Sequence, residues 1–276
     1  MNETDYALGR TAGEYQRLIE QAELIRPLTA RMLLAAGIGA GMDVLDVGCG
    51  VGDVSFLASR LVGERGSVVG VDVDTAALEV AEARRAERQL MNVAFRAGDA
   101  GSVDFGRHFD AAVGRFVLMY VDDPTAVLRH LSRVVKPGGI LAFQEQVADV
   151  RGVSAERQPL LASMLELFSE TFERSGARVN MGLELYSHML EAGLEPTPEP
   201  IAEIGMHMGD DTPGARRWAL FARSMLPKIV EYGLATEAEV DADTLEQRLR
   251  DEFLDAGGMI PLTYLMVAEW ARTPER

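Results

Sequence analysis

Cysteine is nearly absent. The 276-residue chain carries one, Cys49, so no internal disulfide can form and no zinc site can be built from thiolates. Lysine is almost as scarce, with Lys136 and Lys228 the only two among 27 basic residues. Positive charge is in deficit overall: 27 Lys+Arg against 43 Asp+Glu leaves a net charge of −16. That balance disfavours nucleic acid, whose phosphates demand clustered basic side chains. The densest basic run, Arg84, Arg85 and Arg88, is interleaved by Glu82 and Glu87 and reads as a solvated helix face. No stretch approaches the roughly 18 apolar residues of a membrane span, and the polar start Met1-Asn2-Glu3-Thr4-Asp5 is wrong for a secretory signal. The expectation is a soluble, cytoplasmic chain without a structural metal. Ordinary hydrophobic (47%) and charged (25%) fractions make it globular.

The chain contains two kinds of periodicity. Tyr15, Leu18, Ile19, Ala22 and Ile25 recur at helical spacing until Pro27, and a second helix is expected from about Leu28 to Ala36. Five short apolar runs follow, at 43–47, 67–71, 93–97, 109–113 and 140–143, with helix-like stretches at 76–89 and 125–136. Strands covered on both faces read as continuous apolar runs, and parallel strands need helical crossovers, so five such units predict a doubly wound α/β sheet. Beyond Val147 the pattern becomes mostly helical. A strand is expected at 201–208 after a proline-rich stretch, and a last one at 262–270.

Chemistry concentrates after the first run, in Val44-Leu45-Asp46-Val47-Gly48-Cys49-Gly50-Val51-Gly52-Asp53. Glycines between a parallel strand and a helix let backbone approach a nucleotide-like ligand closely. In a dinucleotide site, a pyrophosphate rests on that helix N-terminus. Here Asp53 stands where a third glycine is wanted and Asp46 lies just before the loop, so a diphosphate would meet two carboxylates. A cationic adenosyl ligand such as S-adenosylmethionine suits them better. Asp72 ends the second strand, where a carboxylate can take ribose hydroxyls, and Asp99 in Gly98-Asp99-Ala100 can hold an adenine amino group.

These motifs resemble the class I S-adenosylmethionine-dependent methyltransferases over roughly residues 28–146. The resemblance rests on VLDVGCGVGD, VDVD at 71–74, GDA at 98–100, FDAAVGRFVLMYVDDP at 109–124 and VVKPGGIL at 134–141. It is strongest toward the branch acting on quinone precursors, arsenite and bacterial natural products. The resemblance implies a Rossmann-like seven-stranded sheet with helical cap insertions, its last strand inserted between the fifth and sixth. It also implies that Asp46, Gly48, Cys49 and Gly50 contact the methionine part of the donor. By the same carry-over, Asp72 holds the ribose, Val73 packs on adenine, Asp99 and Ala100 bind its edge, and the backbone around Arg115 lines the methionine end. Cys49 is read as a small loop residue and not as a nucleophile.

The corresponding organisation is an N-terminal helical lid at 1–37, a donor-binding core at 38–150, a helical acceptor region at 151–258 and a closing strand at 259–276. Tyr6 and Tyr15 are candidates to close over the donor. Methyl transfer needs a general base only if the acceptor must lose a proton; His188 and His207 are the candidates, each equally readable as structural. The Met- and Phe-rich segment with Met164, Phe168, Met189, Met206, Met208 and Met225 suits a small, largely apolar acceptor or simply a core. A homodimer is left open. Two other readings remain: a donor-binding fold repurposed as a cyclase or non-catalytic partner, and an NAD-dependent oxidoreductase.

Overall fold

The structure, a computed structural model, describes residues 11–209 and 213–275; Tyr6 and the rest of the first ten residues lie outside them. The chain opens on a helix, α1 (Ala12–Ala35). It then alternates β1 (Asp43–Val47), α2 (Asp53–Val62), β2 (Ser67–Asp72), α3 (Thr75–Glu87), β3 (Val93–Ala97) and β4 (Phe109–Arg115). A single 3₁₀ turn at Leu118–Tyr120 precedes α4 (Pro124–Val134) and the long β5 (Val135–Val147). Next come α5 (Pro159–Arg174), α6 (Met181–Glu191), β6 (Glu195–Pro196), β7 (Ile201–Glu203) and β8 (Met206–Met208). The chain closes with α7 (Pro213–Glu231), α8 (Glu237–Val240), α9 (Leu245–Asp255), β9 (Met259–Pro261) and β10 (Leu265–Arg272).

The first five strands cover the apolar runs; β1, β2, β4 and β5 are largely buried, whereas β3, at the sheet edge, is mostly exposed beyond Val93. β1 lies between β2 and β4, parallel to both, with Asp46 opposite Gly70 on one side and Val113 on the other. The sheet order is β3-β2-β1-β4-β5-β10-β6, and β7 also pairs with β10. The last strand therefore enters between the fifth and sixth positions, as expected. The sixth position differs from expectation. Instead of one strand at 201–208, it is divided between β6 and β7, giving eight strands, and β8 leaves to pair with β9 in a separate ribbon. Pro196, Pro198 and Pro200 explain the division, since a proline cannot donate to the ladder.

α1 corrects a second expectation. Pro27 does not end it, although an interior proline removes one helical hydrogen bond and costs about 3 kcal/mol. Ile25, Leu28, Met32 and Leu33 flank the proline and are all buried, and burying them at about 1.5–3 kcal/mol each outweighs that cost.

The chain divides into two compact units. One comprises Arg26–Glu145, Met181–Ala202 and Val267–Arg276, and holds nearly all of the sheet. Its core gathers Val44, Val54, Phe56, Val68, Val113 and Ile140, among others. The other comprises the described part of Met1–Ile25 with Gln146–Asn180 and Glu203–Met266. Residues 181–202, assigned above to the acceptor region, thus fall with the sheet. In the second unit, Phe168 packs on Trp218 and Phe221, Trp218 Nε1 donates to the Pro261 carbonyl at 2.7 Å and Tyr264 donates to the Leu165 carbonyl at 2.9 Å. Glu252 accepts from the Leu160 and Leu161 amides, satisfying donors that the first turn of α5 leaves open. No helix among the described residues is long and apolar enough to cross a membrane.

The turn into β2 admits no side chain at Gly66, where a Cβ would lie 2.5 Å from the Met42 carbonyl oxygen and 2.6 Å from Val62 Cβ. Gly66→Ala is expected to lower stability by about 1–3 kcal/mol in denaturant titration, because backbone must move to relieve the contact.

Candidate functional site

The loop after β1 is shaped by three glycines in the left-handed region: Gly48 (φ 63°), Gly50 (φ 50°) and Gly52 (φ 90°). A Cβ on Gly48 would meet Val117 Cγ2 at 2.5 Å, and one on Gly52 would meet the Phe56 and Phe95 rings at 2.9 Å. Gly50 is different, with nothing within 4 Å of its Cβ position. That face of the loop is therefore open.

Two carboxylates organise the loop. Asp72 takes the Gly50 amide on Oδ2 at 2.8 Å and the Asp74 amide on Oδ1 at 2.9 Å, tying the ends of β1 and β2 together. Burial still raises its pKa above the usual carboxylate range, against the lowering effect of those amides. Asp46 is buried at the end of β1. Its Oδ2 accepts from Ser55 at 2.5 Å, while Oδ1 has no hydrogen-bond partner. Burial lifts its pKa to about 7, partly opposed by Ser55 and by the Arg115 charge. Between these acids Cys49 is buried, and burial with the two carboxylates raises its thiol pKa well above normal. It is a poor nucleophile there, in keeping with its reading as a small loop residue.

Asp53, expected as a free carboxylate beside the loop, is instead paired. Arg84 on α3 forms an ion pair with Asp53 at 2.6 Å, and both side chains are largely buried. Arg84 also donates to the Val51 carbonyl and stacks over Phe56, 5.2 Å from the ring centroid. So Arg84 is no solvated helix residue, and Asp53 is not free to attract a cation. The sequence held the signal: Ala77, Ala81 and Arg84 are spaced four and three apart, on the buried stripe of α3.

Beyond Arg115, the other side of the site was not legible as chemistry. Arg115 ends β4 and donates to Thr29 Oγ1 at 3.0 Å; Thr29 donates in turn to Gln144 Oε1 at 2.9 Å. Burial lowers the Arg115 pKa, while the charges of Asp53 and Asp46 act to raise it. Phe116 follows with φ 55°, an uncommon conformation for a bulky residue. Glu145, buried in the middle of the polar Gln144-Glu145-Gln146 run in β5, accepts the Val117 and Leu118 amides on Oε1 at 2.9 and 2.8 Å. Its Oε2 has no partner and burial raises its pKa to about 7. Glu145 thus fixes the strained turn that presses Val117 against Gly48. A run of polar residues in an otherwise apolar buried strand was the available clue.

Asp46, Gly48, Cys49, Gly50, Asp72 and Arg115 come together around this loop. Val73, large and apolar, is 41% exposed beside it. Asp99 follows β3, its carboxylate accepting the Gly101 amide at 2.8 Å, with Ala100 next to it. The histidines are not part of the cluster. His188 Nδ1 lies 2.7 Å from Thr125 Oγ1 and Nε2 3.4 Å from Glu184, joining α6 to α4. His207 is on β8, opposite Ile260. Of the apolar candidates, Met164, Phe168, Met189 and Met225 are buried, while Met206 and Met208 are exposed.

The residues fit a cationic donor. The buried, unpartnered Asp46 Oδ1 is an acceptor without a donor, and the Gly50 face is a cradle that a Cβ would fill. Arg115 offers the opposite charge to a zwitterionic tail.

Comparison with known proteins agrees. Residues 38–192 match a methyltransferase domain family. The chain is 30% identical to a ubiquinone/menaquinone biosynthesis C-methyltransferase of Shewanella sp. (strain ANA-3), over 63% of this chain and 68% of that protein. It is 31% identical to a 2-phytyl-1,4-naphthoquinone methyltransferase of Synechococcus elongatus, over 69% of this chain and 79% of the other. Among solved structures it is similar in fold to phosphoethanolamine N-methyltransferase 2 of Haemonchus contortus in complex with S-adenosylhomocysteine. There the TM-score is 0.56 and the identity 18%, over 90% of this chain and 53% of that one. It is also similar in fold to the [4+2]-cyclase SpnF, with TM-score 0.54 and 23% identity over 91% and 81% of the two chains.

Because Arg84 neutralises a largely buried Asp53, Arg84→Met should cost about 3 kcal/mol of stability. It should also weaken S-adenosylmethionine binding at least tenfold by freeing the loop. Thermal unfolding and calorimetric titration of the variant would check both.

Proposed function

The chain belongs to this methyltransferase family as an S-adenosylmethionine-dependent enzyme, and on that premise we propose that it methylates a small, largely apolar metabolite of the quinol kind. The acceptor class is supported by the two quinone-pathway relatives and by an acidic chain ill suited to nucleic acid. The observation that carries the donor site is the buried Asp46 oxygen without a partner, two residues before the glycine-rich loop.

When bound, S-adenosylmethionine supplies a methyl group already activated by a sulfonium. The work left to the protein is alignment and exclusion of water. Asp46 accepts from the donor's ammonium, and Arg115 takes its carboxylate. Gly48 and Gly50 leave room for the methionine chain, and Asp72, already fixed by two amides, presents its remaining lone pairs to the ribose. Val73 packs on the adenine, whose edge meets the Asp99 carboxylate and the Ala100 amide. Glu145 positions the 116–118 turn that supports the loop.

Incubation with methyl-labelled S-adenosylmethionine and reduced naphthoquinones should move the label into the organic extract. Tight donor binding with no transfer to any acceptor would favour the cyclase or non-catalytic reading. Tight NADH binding without S-adenosylmethionine binding would favour the oxidoreductase reading and overturn the donor site.

Titration of Asp46 adds a second prediction. Its pKa is about 7 in the donor-free protein against an ordinary 3.8, so the folded state holds this proton more tightly than the unfolded one. The resulting stability is present below about pH 4 and is lost as pH rises to 7. A cationic donor favours the ionised form, so binding should release a proton. Affinity should then strengthen as pH rises toward 7, by at most about tenfold per unit for one proton. Calorimetry between pH 5.5 and 8 should show this slope in the wild type and its loss in Asp46→Asn; a flat wild-type profile would refute it.

A further inference from the structure

The unit that contains α5, α7 and α9 holds a buried charge with no counter-charge among the described residues. Arg217 on α7 is 8% exposed. Its Nη2 reaches Gln21 Oε1 at a long 3.4 Å, and its Nε and Nη1 have no hydrogen-bond partner. The nearby carboxylate is taken: Glu14 accepts from Arg17 through both oxygens, at 2.7 and 2.6 Å, and Arg17 also holds Gln21 at 2.6 Å. Among the described residues, Glu14 is therefore committed to Arg17 and leaves Arg217 without a carboxylate partner. Tyr264 supplies no anion either. Burial raises its pKa, and its hydroxyl is donated to the Leu165 carbonyl.

What surrounds Arg217 is aromatic. Its guanidinium carbon lies 4.1 Å from the Trp218 ring centroid and 5.8 Å from that of Phe221. Ring faces partly compensate a cation, yet they satisfy no N–H donor. A water molecule would satisfy a donor and leave the charge. A monoanion with an apolar body satisfies both, since a guanidinium pairs with a carboxylate through directed, charge-assisted hydrogen bonds. Burial and the Arg17 charge pull the Arg217 pKa down to about 9, which is the strain that such an anion would relieve.

We propose that Arg217, with Trp218 and Phe221 as its apolar wall, is the recognition site for the carboxylate of a small aromatic acid. The site lies wholly within this unit and stands independently of the donor loop.

Benzoate and its neutral isostere benzamide are the probes, titrated into the full chain and followed by Trp fluorescence and thermal shift. The expected result is saturable benzoate binding, with benzamide at least tenfold weaker. In Arg217→Met, benzoate affinity should fall at least tenfold while S-adenosylhomocysteine binds within twofold of the wild type. Equal binding of the two probes, no benzoate binding, or full benzoate binding by Arg217→Met would each overturn the proposal. If Arg217→Met does not fold, the wild-type probe pair and Arg217→Lys decide the matter: the lysine variant should lose several-fold in affinity for benzoate alone. Failure of S-adenosylhomocysteine to bind the wild type would count against the donor site and leave this one standing.

Discussion

Two backbone amides, those of Gly50 and Asp74, converge on the carboxylate of Asp72, and the site is built outward from that convergence. It ties the loops after two adjacent parallel strands to one side chain, so neither can move alone. The glycines then have their conformations imposed: Gly48 must clear Val117, Gly52 must clear two phenylalanine rings, and only Gly50 faces open space. Arg84 locks the far end of the loop through Val51 and Asp53. The turn at 116–118, held by Glu145, closes it from the side of β4. Rigidity comes from charged groups that sit mostly out of water, where hydrogen bonds to them are strong and losing a partner is costly.

The same low-polarity setting gives the site its electrostatic character. Simple counting of acids before and after the loop suggests a strongly negative pocket. The geometry yields a more balanced one, in which Arg84 cancels Asp53 and Arg115 partly offsets Asp46. What remains is an acceptor at one end and a guanidinium at the other, a polarity that suits an amino-acid tail. With Asp53 neutralised, the discrimination against a diphosphate rests on Asp46.

How much was legible depended on whether the relevant physics was local. The first five strands were readable from their apolar runs, which double burial forces on the interior ones, and the glycine loop because positive φ selects glycine. Pro27 misled because its cost is local, while the burial that outweighs it comes from long-range packing. The split sixth strand was foreshadowed by three prolines, yet the partner of β8 is fifty residues away in the chain and could not be read from spacing. Arg84 was legible in retrospect from its place on the buried stripe of α3. Thr29, Gln144 and Glu145 form a site only through pairings between separate strands and a helix, and no short-range pattern announces them. The histidines drew attention by residue type alone; His188 proves to join two helices.

The chain's one thiol acquires an experimental meaning from where it sits. Cys49 is buried within the loop, where burial and then two neighbouring acids raise its thiol pKa. An alkylating reagent therefore has one target per molecule and reaches it only in moments when the loop swings clear, so the labelling rate is a clock for that excursion. A ligand that braces the loop slows the clock, whatever chemistry it goes on to perform.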